Sequence, residues 1–161
     1  MAFALHSLLF LCGLSTLLTG VYSLDTVPIP CCPDGWVRFR DRCFIYRDTS
    51  LEYSDAEDAC NLLNGNLACI RNAEENALVF QLIRDANNGS IIDTWIGLND
   101  GIEEGRFVCV DGINSKFLNF RDGQPDDFED DEDCAEIDDD GLWNDDMCTD
   151  DQPFICAINL H

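Results

Sequence analysis

Apolar and polar positions divide the chain into a leading apolar run and a body of alternating short elements. From Ala2 to Tyr22 the positions are apolar or small, His6 apart, and no Lys, Arg, Asp or Glu interrupts them. Val21 and Ser23 then place small residues three and one positions ahead of a cut before Leu24, which predicts a secretory signal peptide over residues 1–23. The alternative is an uncleaved signal anchor, since the run approaches the ~20 apolar residues that span a bilayer. No later stretch is apolar enough for membrane insertion. Residues 24–31, with Val27-Pro28-Ile29-Pro30, read as a short linker, and residues 32–160 as one domain.

Within that domain, Trp36 to Tyr46 predicts a strand pair. Ser54 stands three residues ahead of Glu57, the spacing of a capping box, and predicts a helix with Ala56, Ala59, Cys60 and Leu63 on one face. That helix should stop at Asn64-Gly65, ahead of a short apolar strand at Leu67-Ala68-Cys69-Ile70. A second helix is expected from about Ala73, with Ala77, Phe80 and Arg84 at helical spacing, ending at Asn87-Asn88-Gly89. Trp95-Ile96-Gly97-Leu98, Phe107-Val108-Cys109-Val110 and Phe154-Ile155-Cys156 read as buried strands. Between Asp111 and Trp143 apolar periodicity fades into a long region rich in Gly, Asn and Asp, and a loop of that length in a compact domain is usually functional. The order of elements is that of an α+β domain.

Charge changes this picture. The formal net charge is −23, which excludes nucleic acid and anionic membrane as partners. Half of the 32 acidic residues lie between Asp122 and Asp151, and no Lys or Arg follows Arg121. A disordered acidic tail would explain the charge alone. Cys134, Trp143, Cys148, Phe154, Ile155 and Cys156 are interleaved with or directly follow those acids, however, so the segment is folded. Crowded carboxylates in a folded segment repel unless a cation neutralises them, and in an exported protein that cation is Ca²⁺. The ten cysteines fit an exported disulfide framework; losing Cys12 with the leader leaves an odd number and so a thiol for another chain. Asn88-Gly89-Ser90 is a glycosylation sequon.

Four short runs carry a resemblance. Trp95-Ile96-Gly97-Leu98, Gln124-Pro125-Asp126, Glu132-Asp133-Cys134 and Trp143-Asn144-Asp145 resemble, in order and spacing, the signature motifs of C-type lectin-like domains. The resemblance covers about Cys32 to Leu160. It implies a disulfide-stapled fold of two helices, small antiparallel sheets and a long calcium-binding loop region. It also implies a primary Ca²⁺ site made by Gln124, Asp126, Glu132, Asn144 and Asp145, whose side chains supply the carboxylate and amide oxygens that Ca²⁺ prefers. Pro125 is expected in the cis form. Sugar hydroxyls would complete that coordination while the same side chains hydrogen-bond them, amide donating and carboxylate accepting.

The Gln-Pro-Asp order resembles that of galactose-binding members, and Phe128 stands where such relatives often carry an aromatic ring to cover the sugar's apolar face. The stretch from Glu129 to Asp131 departs from them, being short and acidic rather than glycine-rich. An auxiliary Ca²⁺ is implied at Asp100, Glu104, Asp127, Glu132 and Asp133, with surface acids as the alternative reading of Asp100 and Glu104. The resemblance pairs Cys32 with Cys43, Cys60 with Cys156, and Cys134 with Cys148. Cys69 and Cys109 are additional, and a bridge between them is expected by elimination, leaving Cys31 as the interchain thiol of a disulfide-linked homodimer or higher oligomer. A reshuffle leaving Cys69 or Cys109 free is the alternative.

Catalysis is not expected. A Ser-His or Cys-His nucleophile needs a histidine, and after the leader only His161 remains. Zinc hydrolysis fails on the same count. Carboxylate pairs of the glycosidase kind are better accounted for as metal ligands. The stretch Glu136-Ile137-Asp138-Asp139-Asp140-Gly141 looks briefly like an EF-hand loop, but Met147 stands where its bidentate Glu belongs. The expected function is a secreted calcium-dependent lectin for galactose-containing glycans on cell surfaces, acting in innate defence by agglutination. The alternatives are an ice- or mineral-surface binder or a protein-ligand module on the same fold. The acids at Glu129 to Asp133 argue against ice, which needs a flat surface of modest polarity.

Overall fold

The computed structural model describes residues 31–114 and 116–160. The expected signal peptide over 1–23 and most of the 24–31 linker lie outside the described residues. The chain divides at Cys31/Cys32, and the account below concerns the unit Cys32–His161.

Strands β1 (Val37–Phe39) and β2 (Arg42–Leu51) open the domain, followed by helix α1 (Tyr53–Leu62), strand β3 (Asn66–Leu67) and helix α2 (Ala73–Ala86). Strands β4 (Thr94–Asn99), β5 (Val108–Cys109), β6 (Cys134–Ile137), β7 (Trp143–Asp146) and β8 (Gln152–Asn159) complete it. The strands join in the order β1-β2-β8-β4-β6-β7, with β3 on β8 and β5 on β4. All pairings are antiparallel except β4 with β8, where Trp95 faces Phe154. Both ends of the chain's folded unit thus meet in the long β2–β8 ladder, and β6 and β7 extend the sheet toward the acidic segment.

Several elements differ from expectation. Helix α1 begins at Tyr53 with Glu52 as N-cap, and no side chain caps it. The Glu57 carboxylate instead accepts from the Leu67 N–H at 2.6 Å and from Asn66, clamping β3 to the helix. Its buried face holds Ala56 and Cys60, while Leu63 is exposed. Helix α2 buries Glu75, Val79 and Ile83 rather than the Ala77–Phe80–Arg84 face. Val79 and Ile83 pack in the apolar core, and Glu75 is admitted on the same face because Arg42 Nη1 donates to it at 2.6 Å. The region expected as loop up to Trp143 contains β6, and all four residues of β6 are buried against β4 and β7.

Disulfides join Cys32 to Cys43, Cys60 to Cys156, Cys69 to Cys109 and Cys134 to Cys148. Closing loops as long as that from Cys60 to Cys156, 96 positions apart, removes several kcal/mol of unfolded-state freedom, roughly 3–5 per long bridge. Cys31, expected as an interchain thiol, is itself disulfide-bonded, and no described cysteine is free. Gly97 is required by close packing: a Cβ there would lie 2.2 Å from the Leu67 carbonyl oxygen. Trp95 and Trp143 are fully buried, and the Trp143 ring meets Phe117 and Phe120 edge-on, which fastens the long loop to the core.

Candidate metal and sugar site

The long loop returns to the sheet at β6, and beside β6 and β7 three of the predicted ligands meet. Trp143 is anchored by its indole N–H, which donates to Asn76 of α2 at 2.7 Å, so the next two residues emerge at a fixed place. Carboxylate oxygens of Asp126, Glu132 and Asp145 lie within 4.8 Å of one another. Ligands held 2.3–2.6 Å from one Ca²⁺ sit at most about 5 Å apart, so this spacing fits a single ion.

Backbone donors hold these acids in place. Asp145 is buried, its Oδ1 accepting from the Asp126 N–H at 3.2 Å and its Oδ2 from the Asp127 N–H at 2.9 Å. Glu132 accepts from the Phe128 N–H at 3.0 Å. Burial raises the Glu132 carboxyl above its ordinary range, and the charges of Asp145, Asp146 and Asp126 add to this against the Phe128 hydrogen bond. The Gln124–Pro125 bond is cis. The Gln124 Oε1 is buried without a hydrogen-bond partner. A buried amide oxygen with no donor costs free energy unless something positive meets it, so the donor set fits a hard cation. Asn144 donates from Nδ2 to Glu136 at 3.0 Å, leaving its carbonyl oxygen as the end that can serve a metal.

A second group lies at the far end of β4. Oxygens of Asp100, Glu104 and Asp133 fall within 4.8 Å of one another. Asp100 is 1% exposed, with Oδ2 accepting from Gly105 and Oδ1 buried without a partner. Burial pushes its carboxyl up to about 6, with Glu104 and Asp133 contributing and the Gly105 N–H opposing. Asp127 and Glu132, expected here too, stand apart from this group. Asp127 Oδ1 accepts from the Glu132 N–H at 3.3 Å, and the Glu132 carboxylate belongs to the first site. Phe128 stands beside the first site, 62% exposed on a short 3-10 turn. Asn88 is exposed in the loop after α2.

Sequence reasoning passed over Glu136 and Gln152. Both are buried and joined, Gln152 Nε2 donating to Glu136 at 2.6 Å and to Asp146 at 2.8 Å. Burial pushes the Glu136 carboxyl up to about 8 against the hydrogen bonds from Asn144 and Gln152. The available signal was a lone Glu between Ala135 and Ile137, an acid at the centre of an otherwise apolar strand.

Residues 49–158 match the model of the Lectin C-type domain. Galactose-specific lectin nattectin of Thalassophryne nattereri is 38% identical over 130 residues, covering 80% of this chain and 81% of that protein. An alpha-N-acetylgalactosamine-specific lectin of Patiria pectinifera is 35% identical over 132 residues, covering 77% and 78% of the two chains. The structure of herring type II antifreeze protein superposes with a TM-score of 0.73 at 31% identity, covering 81% of this chain and all of that one. With these matches, the motifs and the shared fold, the chain belongs to the C-type lectin domain family.

Proposed function

We propose that this protein is a secreted, calcium-dependent lectin for galactose-type sugars. The observation that carries the reading is the meeting of the Asp126, Glu132 and Asp145 carboxylates, and the buried, unpartnered oxygen of Gln124, two residues before Asp126, supports it. Those four residues with Asn144 would hold the primary Ca²⁺. When bound, the ion supplies coordination positions for two neighbouring sugar hydroxyls. The chain's own part is to orient the sugar. Gln124 offers an amide N–H₂ to one hydroxyl and Asp126 a carboxylate to the other, in the order that the Gln-Pro-Asp motif sets. The galactose-specific name of the relative from Thalassophryne nattereri supports the same preference. The exposed Phe128 ring offers a face for the apolar side of galactose.

Asp100, Glu104 and Asp133 would hold an auxiliary cation, and the orphaned Asp100 oxygen supports this. The apolar leader and the disulfides support export, Asn88 is the glycosylation site, and agglutination of microbes is the role that fits a secreted sugar binder. Among the described residues no helix is long and apolar enough to cross a membrane.

The test is retention of the oxidised protein on galactose- and mannose-coated resins in Ca²⁺, followed by EDTA. Retention on galactose with release by EDTA is the expected result. Retention on mannose alone would keep the mechanism and overturn the preference. The similarity to herring antifreeze protein favours a second reading, binding to an ice or mineral surface. That reading gains if neither resin retains a protein that binds Ca²⁺ and is taken up by a crystal surface.

A further inference from the structure

The hydrogen-bond partners of the buried Glu136 are two amides and no cation, and its place in the sheet asks for a reason. It lies on β6 directly opposite Asn144 on β7, and its side chain is 4% exposed. Both oxygens accept from amide nitrogens, Oε1 from Asn144 Nδ2 at 3.0 Å and Oε2 from Gln152 Nε2 at 2.6 Å. Gln152 is held in turn by its 2.8 Å bond to Asp146 on β7. For stability alone an apolar side chain would serve better between Ala135 and Ile137, because a buried carboxylate without a cation is costly.

We infer that Glu136 is a positioning residue for the metal site, acting through Asn144. An asparagine amide has two ends of nearly equal size, and only the oxygen can ligate Ca²⁺. By accepting from Nδ2, Glu136 commits the nitrogen end and leaves the carbonyl oxygen for the ion. Without an acceptor at this place the amide is free to turn, and a turned amide presents N–H₂ to a cation. Gln152 keeps Glu136 from swinging away, since its amide is shared between Glu136 and Asp146. The arrangement is the outer-ligand support usual around metal sites, built from strands β6, β7 and β8 rather than from the loop. The inference rests on the proposal that Asn144 ligates Ca²⁺, and it concerns the metal rather than the sugar.

The experiment measures Ca²⁺ affinity of the full oxidised protein by calorimetry, with thermal melts in EDTA alongside. Glu136→Leu removes the acceptor at similar volume. Glu136→Gln retains one oxygen for Asn144, while its new N–H₂ replaces the oxygen that accepts from Gln152, so the Gln152 amide must turn to present its oxygen and release Asp146. We expect Glu136→Leu to weaken Ca²⁺ roughly 10–100-fold with an EDTA melting temperature equal to or above that of the parent. Glu136→Gln should stay within about threefold, most of the loss thus being restored by one acceptor oxygen. Parental Ca²⁺ affinity in Glu136→Leu would overturn the inference. So would an equal loss in both variants, or a loss that merely follows a lower EDTA melting temperature. Failure of the parent itself to bind Ca²⁺ would sink the metal reading and this inference together. Ca²⁺ binding without galactose binding in the parent would sink only the sugar preference.

Discussion

The helices and the β1–β2–β8 part of the sheet use their charges differently from the acidic return through β6 and β7. In the first region the buried and half-buried cations face carboxylates, although the Nε atoms of Arg42 and Arg71 keep no hydrogen-bond partner. Arg42 donates to Glu75 and to the Cys69 carbonyl, and its guanidinium lies 4.7 Å above the Phe44 ring centre. Arg71 reaches Asp111 at 3.2 Å. In the second region Arg121 binds the exposed run Asp138, Asp139 and Asp140, while the acids facing the site have backbone N–H groups and no cation. Oxygens without a partner fall at the predicted ligands Gln124 and Asp100, and also on Tyr53 of α1 and Gln152 of β8. The contrast lies in the charges: buried cations meet carboxylates in the first region, whereas the acids of the second meet one another and backbone N–H groups, which suits them to a cation from outside.

The largest effect should come from breaking the closed pair. Arg42→Ala strands Glu75 in the core, which typically costs about 3–5 kcal/mol. Replacing both, as Arg42→Met with Glu75→Leu, should recover most of that loss. Denaturant melts in EDTA read both, and the galactose affinity of the folded fraction should not change. A sugar-binding loss in the double variant, with stability restored, would erase the contrast between the two regions.

The open oxygens respond to Ca²⁺ and to pH instead. Ca²⁺ at one hundred times its Kd should stabilise the protein by about 2.7 kcal/mol per site. Without Ca²⁺ the sign of the pH effect follows from the raised carboxyls, about 8 for Glu136 and about 6 for Asp100, both from burial first. The unfolded chain releases these protons near pH ~4. The folded state is therefore penalised in full above pH 8 and progressively less as pH falls toward 5. Melting temperature in EDTA should thus rise from pH 8 to 5, and excess Ca²⁺ should flatten or reverse that slope. A protein indifferent to Ca²⁺ at every pH would show that these acids hold no Ca²⁺.

Sequence legibility divides along the same line. The meeting of Asp126, Glu132 and Asp145 was readable because donor chemistry resides in side-chain type, and the motif spacing survives whatever the loop between them does. The strand β6 was not readable, because Glu136 breaks its apolar run and acids flank it on both sides. The buried face of α2 was hidden by its pairing: a Glu looks like a surface residue until Arg42, 33 positions away, is known to face it. Glu57 had the spacing of a capping box, but the β3 backbone used its carboxylate first. Of the auxiliary set, Asp100, Glu104 and Asp133 lie together, while Asp127 accepts from the Glu132 N–H and the Glu132 carboxylate from the Phe128 N–H. Pattern identifies the donors, and competition among nearby backbone groups decides which of them remain free.

The smallest effect should separate ring from metal. Phe128 is held outward by its own N–H on Glu132, between Asp127 and Glu129 at φ of 45° and 63°. Left-handed backbone at an unbranched acid costs of order 1–3 kcal/mol, and an exposed Phe gains nothing by burial to offset it. A sugar face over the ring is the contact that gives this geometry a use, and such contacts add about 0.5–1.5 kcal/mol. Phe128→Ala should therefore weaken galactose roughly 2–10-fold, while Ca²⁺ affinity and the EDTA melting temperature stay put. Phe128→Trp should strengthen galactose by a similar or smaller factor, read by calorimetry with a methyl galactoside. Should Phe128→Ala cost Ca²⁺ affinity instead, the ring would belong with the scaffold that holds Glu132, and the boundary between closed and open regions would move past it.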